Sequence, residues 1–203
     1  SFLNFNLDAL NVESQQKIIT GLKEVLGEIS KIKVLVHSIA KGNLKAMVSE
    51  DNSVLSSDDF LITFQAMALS LYDWTQILFQ EKLFAEDSRI IAFTREGSKK
   101  PWKNYAAVSA AKASLEAISR SIALEFAPFG IKCNCIQAGV TDTRSLQMIP
   151  GSEDLIKNSV ERNPNKRLTT PEDVADVLSL LCRDEAKWIT GNVIPVDGGE
   201  HLQ

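Results

Sequence analysis

The sequence predicts an α/β fold built on a doubly wound parallel sheet, and three observations predict it. Strand-like apolar runs and amphipathic helical stretches alternate along the whole chain. The run IKVLV at 32–36 is short and apolar throughout, as expected of a parallel strand buried on both faces. Helix start and stop signals punctuate the order: Ser56 with Asp59 at capping-box spacing, Thr170 ahead of Pro171, and Pro128 with Gly130.

Taken in order, residues 1–7, SFLNFNL, alternate and read as a strand, with Asp8 and Ala9 at its carboxyl end. Residues 11–29 form an amphipathic helix with Ile18, Leu22, Val25, Leu26 and Ile29 inward. After the strand at 32–36, residues 37–45 are the loop at its carboxyl end. A long helix over 58–83 turns Phe60, Phe64, Met67, Leu71, Trp74 and Leu78 to one face. RIIAFT at 89–94 is the next strand, and 99–104 is a polar loop. The helix that follows, from residue 105 up to Pro128 and Gly130, repeats Leu115, Ile118, Ile122 and Phe126 at three- and four-residue steps. IKCNCI at 131–136 is a strand, AGVTDT follows at 138–143, and 144–168 is a looser segment. Thr170, Pro171, Glu172 and Asp173 open a helix that runs to about residue 182. The last strand spans 192–196.

The chain has 203 residues, 44% of them hydrophobic, and a formal charge of −4, so it reads as one soluble globular domain. The acidic balance and the lack of a Lys/Arg block argue against nucleic acid as a partner. No apolar run approaches the roughly 18 residues that cross a bilayer. The opening residues read as strand, not as a signal peptide. Cys133, Cys135 and Cys182 lack metal spacing; Cys133 and Cys135 share one face of a strand and read as buried thiols, which fits the cytoplasm. His37 and His201 are too few for a metal site, and His37 reads as structural.

Tyr105 and Lys112 stand seven positions apart near the start of a helix, so they fall on nearly one face, about two turns apart. A phenol and an ammonium on one face can share a ligand. A nearby cation favours the phenolate and makes Tyr105 a candidate proton donor near neutral pH.

With that spacing, the run Ala113-Ser114-Leu115-Glu116 and the sequence Val36-His37-Ser38-Ile39-Ala40, the chain resembles the short-chain dehydrogenases/reductases over essentially its whole length. Most of that superfamily has Tyr, three residues, then Lys; here position 109 is Ser and the Lys follows six residues, which looks like the enoyl-acyl-carrier-protein reductase branch. The resemblance implies a Rossmann-like fold and hydride transfer from NADH or NADPH to an enoyl thioester of acyl-carrier protein or CoA in fatty-acid biosynthesis. It also implies a homotetramer, with Trp74, Leu78 and Ile118 as candidate contacts. Tyr105 and Lys112 would be catalytic, Lys112 also gripping the cofactor ribose. Asp8 and Ala9 would lie by the adenine, Ser38, Ile39 and Ala40 along the ribose and phosphates, and Thr94 near the nicotinamide. Gly139, Val140, Thr141 and Thr143 would edge the carboxamide and pyrophosphate. Arg95, Tyr105, Leu146, Met148 and Ile149 would meet substrate, the last three within a lid over 144–168. Two departures stand out: Arg95 occupies the place of a second tyrosine of the branch, and Met67 lies near the superfamily's relay Asn.

A dinucleotide fold opens on a strand and a Gly-rich turn, and this chain shows no such turn; before position 97 its glycines are Gly21, Gly27 and Gly42. With residues 1–7 as a third strand and 32–36 as a fourth, the expected order places two strands between them. Roughly 50–60 preceding residues are therefore expected, and the domain at 1–203 reads as N-terminally incomplete. Two other readings stay open: a carbonyl/alcohol oxidoreductase of the same superfamily, and a non-catalytic homologue.

Overall fold

The computed structural model describes residues 3–50, 54–147 and 151–203, without the side chains of Arg144 and Ser145. Four parallel strands, β1 (Ile32–His37), β2 (Phe84–Arg95), β3 (Ile131–Ala138) and β4 (Val193–Val196), pair in the order β1-β2-β3-β4. The helices are α1 (Val12–Leu26) ahead of β1 and, between the strands, α2 (Ser57–Phe64), α3 (Ser70–Gln80), α4 (Ala106–Glu125), α5 (Arg144–Gln147), α6 (Ser152–Arg162) and α7 (Pro171–Leu181). The expected α/β class and parallel sheet are present. Helix α1 precedes β1, and right-handed crossovers of this kind put helices on both sheet faces.

Alternation along the strands sorts the core into two layers. On one face Ile90, Ala92, Cys133 and Cys135 pack under Leu71, Leu115, Ile122 and Phe126 of α3 and α4. On the other, Ile91 and Ile136 meet Val174 and Leu181 of α7. The two cysteines are fully buried thiols; burial pushes Cys133 up to about 12 and Cys135 up to about 11. Both expected capping boxes form, Ser56 with Asp59 and Thr170 with Asp173.

Several expectations need correction. Residues 3–7 are not a strand. Among the described residues β1 pairs with β2 alone, and the Phe5 ring lies where a Cβ on Gly21 of α1 would stand 2.6 Å from it. The segment therefore packs on a helix and finds no ladder partner. In α1 the inward face is Gln15, Ile19, Leu22 and Leu26, one step round from the predicted stripe; Val25 and Ile29 are exposed. β1 is an edge strand of this sheet, and Val36 is 42% exposed, so it is not buried on both faces. The long helix is broken by a π-helical turn at Gln65–Leu69, for which the apolar periodicity carried no sign. Segment 144–168 holds two helices and is less loose than its composition suggests. Leu78 lies in the core with Ile19 and Leu83, and Trp74 donates its indole N–H to the Ala9 carbonyl at 3.0 Å. Both are thus covered by the N-terminal segment and α1, which removes them from the candidate subunit contact. Among the described residues no helix is long and apolar enough to cross a membrane.

Two stability predictions follow from these contacts. Gly130 ends the α4 overhang at φ 75°, and a Cβ there would stand 1.7 Å from the Glu86 carbonyl oxygen. Gly130→Ala should cost at least about 2 kcal/mol in urea unfolding; a change near zero would contradict the close approach. His37 is buried at the end of β1, 2.7 Å from Ser70 Oγ, and burial together with the Lys112 charge lowers its pKa from 6.5 to about 4. The unfolded chain therefore takes the proton first. The stability this contributes is full above pH 6.5 and is lost as pH falls through 4, on the order of 3 kcal/mol. His37→Gln should flatten that part of the acid slope; an identical slope in both proteins would contradict a neutral buried ring.

Candidate active site

A crevice of about 510 Å³ opens at the carboxyl ends of β1 and β2, where parallel sheets bind ligands. β1 brings His37 and then Ser38, Ile39 and Ala40; β2 brings Phe93, Thr94 and Arg95; α4 brings Tyr105, Val108 and Lys112; the π-helical turn adds Met67. The 38–44 loop is pinned from α2. Asp59 accepts from Asn43 Nδ2 at 2.5 Å and from Lys45 Nζ at 3.0 Å, and these bonds with the Ser56 cap hold its carboxyl well below the usual range. Gly42 lets the loop approach α2, since a Cβ there would meet Thr63 at 2.6 Å.

Tyr105 caps the start of α4, and Lys112 follows two turns on. Both are 8% exposed and both line the crevice, as their spacing predicts. Lys112 Nζ donates to the Phe93 carbonyl at 2.7 Å. Burial, then the Arg95 charge, brings its pKa down to about 8. Beneath it Thr94 Oγ1 donates to Glu116 Oε1 at 2.7 Å inside the protein. Glu116 was not singled out from the sequence, although its i+4 spacing from Lys112 is the signal that points to it.

The phenol departs from expectation. Burial raises the pKa of Tyr105 against the opposing pull of Arg95, whose guanidinium hydrogen-bonds it. The cation at the phenol is therefore Arg95, not Lys112, and Tyr105 stays protonated. Its ring lies tilted on Trp102 with centroids 5.4 Å apart, and Gly97 leaves it room, since a Cβ there would come within 2.9 Å.

Other predicted residues go elsewhere. Asp8 Oδ1 accepts from the Leu10 amide at 2.9 Å, and the Ala9 carbonyl accepts from Gln15 and Trp74. Neither lines the crevice; Asp8 serves as a local cap. Gly139 and Val140 border a separate small cavity with Arg95 and Trp102, and the Val140 amide donates to Glu200 Oε2 at 3.2 Å. The Thr141 hydroxyl donates to the Gly139 carbonyl at 2.9 Å, and Thr143 Oγ1 accepts from the Leu146 amide at 3.3 Å, so both serve the turn. Leu146 is fully buried and does not open on the crevice. Met148 and Ile149 lie outside the described residues. A second cavity, about 400 Å³, is lined in part by groups that hold each other: His201 Nδ1 lies 2.7 Å from Asp197 Oδ2, and Arg167 pairs with Asp173 at 2.6 Å.

Comparison with known proteins agrees with this arrangement. A sequence profile described as Enoyl-(Acyl carrier protein) reductase matches residues 5–201. The NADPH enoyl-acyl-carrier-protein reductase FabI of Staphylococcus aureus (strain MRSA252) is 31% identical over 197 residues, covering 97% of this chain and 75% of that protein. The NADH enzyme FabI of Enterococcus faecalis is 32% identical over 192 residues, 95% of this chain and 76% of its own. The crystal structure of the NADH enoyl-acyl-carrier-protein reductase from Aquifex aeolicus VF5 superposes with a TM-score of 0.86 at 29% identity, covering 97% of this chain and 74% of that one. Such agreement in sequence and backbone, running through the crevice and both layers of the core, means that the chain belongs to the enoyl-(acyl carrier protein) reductase family.

Proposed function

We infer that this protein is an NADH- or NADPH-dependent oxidoreductase that reduces the 2,3 double bond of an enoyl thioester carried on acyl-carrier protein or CoA, in fatty-acid biosynthesis. The observation that carries this reading is the convergence of Tyr105 and Lys112, both buried, on one crevice at the carboxyl end of β2. Family membership supports it, and so does the cofactor named for the relatives: NADPH for the Staphylococcus aureus enzyme and NADH for the Enterococcus faecalis enzyme.

The residues present fit the nicotinamide-ribose half of the cofactor. An ammonium has three donors; Lys112 commits one to the Phe93 carbonyl and lines the crevice with the others, which suits a sugar diol. Ser38, Ile39, Ala40 and Thr94 border the same space. When bound, the reduced nicotinamide supplies hydride to the β carbon of the enoyl group. Tyr105 does the complementary work. Its neutral phenol donates to the thioester oxygen, where negative charge gathers as the double bond is reduced. Arg95 has only donors, so it engages the phenol oxygen and leaves the phenol proton for substrate. Burial keeps water from the donor and strengthens its bond to the growing charge.

The 144–168 segment is the acyl-chain cover. The assembly is a homotetramer in the cytoplasm. Its contact uses the groove lined by Leu69, Tyr72, Ile118 and Phe126 on the outer face of α3 and α4. Light scattering should give four copies; a monomer would contradict that.

Tyr105→Phe keeps the ring and removes the donor. Reduction of crotonyl thioester should fall by on the order of 100-fold or more, with the unfolding midpoint nearly unchanged. Undiminished enoyl reduction would sink the role given to the phenol. Turnover of 3-oxoacyl thioesters in place of enoyl ones would favour a carbonyl reductase instead.

A further inference from the structure

Helix α6 ends in Arg162, and this side chain joins three parts of the molecule. Its Nη2 lies 2.6 Å from Glu96 Oε2 and 3.6 Å from Glu200 Oε1, and donates to the Glu200 carbonyl at 3.3 Å. The two carboxylates keep only 12% and 4% of their side-chain exposure. Each reaches further toward the crevice. Glu96 follows Arg95 directly and precedes Gly97, against which the Tyr105 ring packs; its Oε1 also takes Lys100 Nζ at 2.6 Å. Glu200 Oε2 accepts the Val140 amide at 3.2 Å, at the start of the loop after β3.

Exposed ion pairs hold little geometry, because solvent screens them and both side chains stay free. This one is shielded and shared. Without the guanidinium, two shielded carboxylates would face each other with only Lys100 beside them, and the elements carrying them would part. A small displacement of the Arg95–Gly97 turn moves the cation that engages the phenol and the backbone that seats its ring, and misplacement of that kind weakens catalysis at a distance.

We propose that Arg162 is a positioning residue for the reduction: it couples the seating of α6 to the placement of Arg95 at the crevice and of the Val140 amide in the small cavity that Arg95 also borders. This rests on the reductase reading above. Arg162 touches no reacting atom and acts through Glu96 and Glu200.

The test compares Arg162→Met, Arg162→Lys, Glu96→Gln and the double variant Arg162→Met/Glu96→Gln with the parent. It measures enoyl-thioester kinetics, and hydrogen exchange at the Val140 amide in the protein without substrate or cofactor. Arg162→Met should lower kcat about tenfold while KM changes less than about threefold. Arg162→Lys should recover most of the loss. The double variant should cost no more than the worse single one, because both remove the same contact. Val140 should exchange faster in Arg162→Met. Should that variant fail to fold, Glu96→Gln alone must lower kcat. Multiplicative losses, or unmoved kcat together with unmoved exchange, would overturn the coupling while leaving the reductase reading intact. Absence of enoyl reduction in the parent protein would sink the reductase reading, whatever the exchange shows.

Discussion

The bond from Lys112 Nζ to the Phe93 carbonyl, 2.7 Å long, is the contact on which the site depends. A buried ammonium is costly unless it is hydrogen-bonded. Here the backbone of β2 accepts from it, and that ties the second turn of α4 to the carboxyl end of the strand at the centre of the crevice. β2 is paired to β1 as far as Ala92 and to β3 as far as Arg95, which holds its end in place. The helix then carries Tyr105 into place two turns back. Sheet register, helix phase and the position of the phenol are thereby one constraint.

Charge is distributed around that bond with a purpose that chemistry makes plain. Arg95 and Lys112 both face the crevice, and among the described residues Arg95 forms no ion pair. Each disfavours the other, and the effect falls on Lys112, which burial already penalises. Negative charge arriving in the crevice relieves both. Tyr105 remains neutral and able to donate because burial outweighs the pull of Arg95. His37, close by, remains neutral for the same reason and is engaged with Ser70. The site thus presents donors and cations to its ligand, with the Glu116 carboxylate held by Thr94.

Much of this was legible in the chain. The alternation of strands and helices is written in short apolar runs, and the crevice pair in a seven-residue spacing on an uninterrupted helix. What was not legible has physical causes. The stripe of α1 was misplaced by one position because Val25 and Ile29 suit an apolar face as well as Ile19 does, and only packing on Leu78 decides between them. Residues 3–7 alternate like a strand, yet a strand needs a neighbour, and Phe5 found Gly21 instead. The π-helical turn that turns Met67 to the crevice leaves no mark in composition. Asp8 and Thr143, assigned to a ligand by resemblance, also satisfy backbone amides of their own turns, which the sequence did not show. Arg162 escaped notice because its partners are 66 and 38 residues away in sequence.

Cofactor binding by Lys112→Met measures the central contact most directly. Met keeps the length of the side chain without its charge, and the unfolding midpoint, measured alongside, separates a loss of binding from a loss of fold. Titration of NADH and NADPH fluorescence of the folded variant should show affinity weakened by about tenfold or more. Parental affinity in that variant would mean that Lys112 only braces β2 and that the cofactor sugar is held elsewhere.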